Sequence, residues 1–89
     1  MEWLIKYSKE SEKFINNENI NRSIIKNLIN KTLLRLKGEK INLDLKKLKG
    51  KWEGFYRIRM GEIRVIITID FKNKIIFVYS VDFRGSVYK

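Results

Sequence analysis

The stretch Phe55-Tyr56-Arg57-Ile58-Arg59-Met60-Gly61-Glu62-Ile63-Arg64-Val65-Ile66-Ile67-Thr68-Ile69-Asp70 decides the fold. Apolar and polar side chains alternate on both sides of Met60-Gly61, the period of strands that bury one face. Tyr56, Ile58 and Met60 point one way, Arg57 and Arg59 the other. After the turn, Ile63, Val65, Ile67 and Ile69 form an apolar row, and Arg64 shares the opposite side with Glu62, Ile66 and Thr68. Three strands are predicted: Trp52 to Met60, Glu62 to Phe71 and, after a break at Lys72-Asn73-Lys74, Lys74 to Arg84.

Upstream the period changes. Residues 2–7 are β-prone, and Ser8 is placed to cap a short helix over about 8–17, broken by Asn16-Asn17-Glu18-Asn19. Asn21 is placed to cap a longer helix. There Ile24, Ile25, Leu28, Ile29, Thr32, Leu33 and Leu36 recur every three or four residues, and Gly38 supplies the stop. Arg22, Lys26, Lys31 and Arg35 mark its other face. Residues 39–51 look like an irregular basic linker. The expectation is an α+β fold in one small domain, 1–89, ordered β-α-α-β-β-β, with both helices packed on one face of an antiparallel sheet.

The 89 residues hold one core at most. Without cysteine there is no disulfide framework, thiolate nucleophile or cysteine-bound zinc, and without histidine there is no imidazole chemistry. No apolar run approaches the length of a membrane span. The Met1-Glu2-Trp3 opening lacks a basic leader before an apolar stretch, so a cytoplasmic protein is expected.

Lys and Arg number 20 against 10 Asp and Glu, a net charge of +10. The first twenty residues are slightly acidic, so the excess lies entirely in 21–89, densest over 46–64. Such asymmetry marks a binder of polyanions. A surface matched to an acidic protein, or a merely solvated basic face, are the other readings. If Met60-Gly61 is a two-residue turn, Arg57 lies opposite Arg64 and Arg59 opposite Glu62. Opposed like charges cost roughly a few tenths to one kcal/mol, and an anion between them removes that cost. A three-residue turn at 72–74 places Arg64 opposite Asp82, with Arg84 on the same face. A two-residue turn flips the last strand and takes Arg84 away. Tyr88, in the polar tail, is a core plug, a stacking group for a nucleobase, or an acid or base.

Leu48-Lys49-Gly50, then Tyr56-Arg57-Ile58-Arg59-Met60-Gly61-Glu62-Ile63-Arg64-Val65-Ile66, and Ser80-Val81-Asp82-Phe83-Arg84 with Val87-Tyr88, resemble the RelE/ParE superfamily of bacterial and archaeal toxins, the RelE branch most. The resemblance implies the toxin of a type II toxin–antitoxin system. Such a toxin is an endoribonuclease that enters the ribosomal A site, cleaves mRNA there and so inhibits translation. It implies an acidic, RelB-like antitoxin as partner, together with the ribosome and mRNA, and no metal, cofactor or membrane. By position, Arg57 and Arg59 match the paired basic residues of the family's strand, Arg64 and Arg84 its phosphate-contacting arginines, and Tyr88 its near-terminal tyrosine. ParE-like relatives, which act on DNA gyrase, have degraded this set; here all five positions are filled. The alternatives are a gyrase inhibitor of the same fold and a non-catalytic basic RNA-binding module.

RNA cleavage without metal needs a base for the 2′-hydroxyl, positive charge on the phosphorane and an acid for the 5′-oxygen. Arg64 and Arg84 suit the second role, because guanidinium is planar and bidentate toward phosphate. Arg57 and Arg59 effectively never lose a proton. The base is therefore Tyr88, favoured as phenolate by surrounding guanidinium groups, or a group of the ribosome or the RNA. Lys46, Lys47, Lys49 and Lys51, with Arg22 and Lys26 on the second helix, are candidates for rRNA phosphate contact without sequence readout.

Overall fold

The computed structural model describes residues 3–83. The elements follow in the order β1 (Leu4–Tyr7), α1 (Lys9–Asn17), α2 (Arg22–Leu36), β2 (Asp44–Lys47), a 3-10 turn (Gly50–Trp52), β3 (Phe55–Met60), β4 (Ile63–Asp70) and β5 (Ile75–Phe83). Local chemistry sets the helix ends. The Ser8 hydroxyl accepts from Ser11 N at 3.0 Å and donates to the Tyr79 carbonyl at 2.7 Å, so the cap of α1 also ties it to β5. Asn21 Oδ1 accepts from Ser23 N and Oγ at the start of α2. At its other end, Gly38 takes φ +105°, open to glycine at little cost. Gly38 N then donates to Arg35 O and Glu39 N to Leu34 O, the paired bonds of a Schellman end. Arg35 donates to the Leu43 carbonyl at 2.8 Å, which anchors the chain where it leaves for β2.

Both helices cover one face of the sheet. Ile15 from α1 and Ile25, Leu28 and Ile29 from α2 meet Ile58, Val65, Ile67, Ile76, Val78 and Val81, all nearly inaccessible. Thr32, wholly buried, is reconciled with this core by donating to the Leu28 carbonyl at 2.8 Å.

The sheet has five strands in the order β1-β5-β4-β3-β2 and departs from expectation in four places. First, it is mixed rather than antiparallel, because β1 pairs parallel with β5, Leu4 opposite Ile75. Nearly the whole chain separates these strands, so no hairpin imposes an antiparallel sense. Second, the supposed linker contains a strand: β2 lines the edge, antiparallel to β3, with Leu45 opposite Ile58. Its lysines suit an edge, where charge discourages pairing with another chain. Third, the β3–β4 turn is Gly61-Glu62, one residue later than expected. Met60 pairs with Ile63, and Gly61 takes φ +59° at the first turn position, as a type II′ hairpin requires. Arg59 therefore faces Arg64, and Arg57 faces Ile66. Fourth, Arg64 does face Asp82, but through a four-residue connection (71–74) corrected by a bulge: Ile66 pairs with Ser80 and Ile67 with Val78, leaving Tyr79 over.

Candidate functional site

The face of the sheet away from the helices carries the charged residues in rows set by the strand register. Asp44, Arg59, Arg64 and Asp82 lie directly opposite one another across β2, β3, β4 and β5. The next row is Lys46, Arg57, Ile66 and Ser80, and the one beyond it contains Phe55, Thr68 and Phe77. The like-charge pair foreseen from the sequence exists, made by Arg59 rather than Arg57. Glu62, expected opposite Arg59, sits exposed in the turn.

Two carboxylates flank the central arginines. Arg64 Nε and Nη2 donate to the two oxygens of Asp82, each at 3.0 Å, in the fork-to-fork arrangement that fixes both planes. Asp44 divides itself: Oδ1 accepts from Arg57 Nη2 at 3.2 Å and Oδ2 from Arg59 Nε at 3.1 Å. Within the two charged rows four cations still outnumber these two carboxylates. Arg57 Nε is buried without a hydrogen-bond partner among the described residues, an unsatisfied donor whose cost is about 1–3 kcal/mol. The face is thus assembled around positive charge that its own acids only partly balance, which suits a multiply charged anion.

Of the residues singled out from the sequence, the structure brings together Arg57, Arg59, Arg64 and Lys46. Lys47 lies across from Tyr56 with its side chain on the helix side of β2, while Lys49 and Lys51 flank and enter the 3-10 turn. Lys46, Lys47, Lys49, Leu48 and Trp52 line one groove of about 320 Å³ at this edge. Arg22 and Lys26 belong to the helix layer on the opposite face. Arg22 pairs with Glu12 and sits 4.8 Å above the Tyr7 ring centre, joining α2 to α1 and β1. The hydrogen bond to Glu12 is the main reason its pKa is raised further. Arg84 and Tyr88 lie outside the described residues.

Two features escaped the sequence reading. Asp44 was hidden in the supposed linker, although the alternation Ile41, Leu43, Leu45 signals a strand there. The second is an aromatic cluster on the arginine side. Trp52, Phe55 and Tyr79 meet edge to face, with ring centres 5.2–5.5 Å apart.

No protein-family model matches the chain, and no curated protein is similar to it in sequence. Solved structures are similar in fold. A chain of the RelB-RelE antitoxin-toxin complex of Methanococcus jannaschii is 26% identical, with a TM-score of 0.60 over 93% of this chain and 94% of that one. The archaeal RelE-RelB complex of Pyrococcus horikoshii gives 24% identity and a TM-score of 0.61 over 96% and 98%. YafQ of E. coli gives 13% and 0.61 over 99% and 100%. The chain has a RelE-like toxin fold.

Proposed function

We propose that the chain is the toxin of a toxin–antitoxin pair and cleaves mRNA in the ribosomal A site. The observation that supports this reading best is the row Asp44–Arg59–Arg64–Asp82, with Lys46 and Arg57 beside it. In the reaction, the 2′-oxygen attacks phosphorus as its proton passes to a base. The bond from phosphorus to the 5′-oxygen breaks, and that oxygen takes a proton from an acid. The dianionic phosphorane between these steps needs fixed positive charge close by. Arg64, held in plane by Asp82, offers a guanidinium whose direction is set before the substrate arrives, and Arg59 stands directly across from it. Arg57 and Lys46 hold the neighbouring phosphate. Arg84 completes the cradle, and Tyr88 serves as the base or stacks on the adjacent nucleobase.

The partners follow from charge. The lysines around the 3-10 turn hold RNA, message and rRNA alike, by phosphate contact, so binding falls steeply with salt. A RelB-like antitoxin, acidic enough to meet a net charge of +10, holds the toxin inactive until it is removed. The test is to induce the chain in cells and map mRNA 5′ ends with and without translation. The expected result is growth arrest with new ends only in translated messages. Arrest with intact mRNA, or arrest of DNA replication first, would overturn the proposal.

A further inference from the structure

We infer that Trp52, Phe55 and Tyr79, with the groove beneath Lys46, Lys47 and Lys49, form a stacking subsite for a nucleobase of single-stranded RNA, one or two nucleotides from the arginine row. This deepens the nuclease reading above and rests on it. Three observations converge. The three rings are not among the side chains packed on the core, and Trp52 and Tyr79 are each 37% exposed. An aromatic cluster of this size left in water is costly unless something covers it. Tyr79 is also the extra residue of the β5 bulge, the kind of irregularity that re-aims a side chain beside a site.

Geometry then selects the occupant. An edge-to-face contact occupies the face of one ring, so three such contacts leave three of the six faces unused within the cluster. Trp52 is also a wall of the groove lined by Lys46, Lys47 and Lys49. A groove lined by an indole and lysines matches a base with its phosphates, and stacking tolerates any base because each has a π-face. Along β3, Phe55 is two residues from Arg57 and four from Arg59, about 7 and ~14 Å. A strand whose scissile phosphate lies at the arginines therefore reaches the rings with a neighbouring nucleotide.

The test uses the full chain with oligouridine and an abasic RNA of equal length. Trp3 packs on Phe71, away from this cluster, so a W3F background leaves Trp52 as the reporting indole. Oligouridine is expected to quench its fluorescence and to bind about five- to a hundredfold more tightly than the abasic strand. W52A is expected to bind both strands alike, and W52F to recover part of the preference. The comparison of strands on the unaltered ring cluster does not depend on any variant at Trp52 folding. Equal binding of both strands by the W3F chain, or a preference undiminished in W52A and Y79A, overturns the subsite while salt-dependent binding keeps the RNA reading alive. Failure to bind either strand overturns both.

Discussion

Asp82 and Asp44 close opposite ends of one transverse row, yet they hold their arginines differently. Asp82 gives both oxygens to Arg64 at 3.0 Å, with side chains only 16% and 31% exposed for the arginine and the acid. Asp44, half exposed, gives one oxygen each to Arg57 and Arg59. A fork meeting a fork fixes a plane as well as a charge; two single contacts from a shared acid mostly neutralise. One end of the row is therefore built to aim a guanidinium, and the other to keep two guanidinium groups together on a strand.

Breaking the aimed end has the largest expected effect. Arg64→Ala should lower RNA cleavage and growth inhibition by on the order of 10²–10³, with circular dichroism unchanged; full toxicity would refute the site. Asp82→Asn preserves shape but removes the charge that orients Arg64. Cleavage should drop about tenfold while RNA affinity rises, a split between kcat and KM. Asp44→Asn sharpens the contrast: affinity should rise a few-fold, roughly the gain from removing one exposed like charge, with turnover nearly kept. If the two substitutions shift kcat alike, the distinction between the two ends fails.

The smallest effect concerns a carboxylate held by amides instead. Asn73 donates to Asp70 from its side chain and its backbone N–H, which lowers the Asp70 pKa, the side-chain bond contributing most. A folded pKa below the unfolded value means that the turn gains stability above the ordinary carboxylate range and loses it as pH falls through the lowered value. An NMR titration of Asp70 should show the depression, Asn73→Ala should lessen it by the lost side-chain bond while the backbone bonds keep the rest, and neither Asp44→Asn nor Asp82→Asn should move it.

What the sequence disclosed depended on how local the signal was. Ser8, Asn21 and Gly38 act on neighbours within a few positions, and each ends or begins its helix where expected. The apolar rows of β3 and β4 were equally plain. β2 was obscured because three of its four residues are charged and only Leu45 is half-buried. Pairing rests on long-range fit: whether Met60 or Gly61 opens the turn moves the arginine partner by two residues, and both read as turn-formers. The bulge left a trace in the spacing of Ile76, Val78 and Val81, which widens from two residues to three. The aromatic cluster had none, since Trp52 and Tyr79 meet only when β4 intervenes with the correct register.

The doubled step at Tyr79 makes β5 a strand that counts its residues. Adding one position between Val78 and Val81 would exchange the roles of Val81 and Asp82, burying a carboxylate among isoleucines and setting a valine against Arg64, whereas losing Tyr79 would leave a regular ladder with both in place. Tolerance to insertions should consequently concentrate in the 71–74 connection, and a library of single-residue insertions would trace that boundary as an abrupt loss of soluble protein on entering the strand.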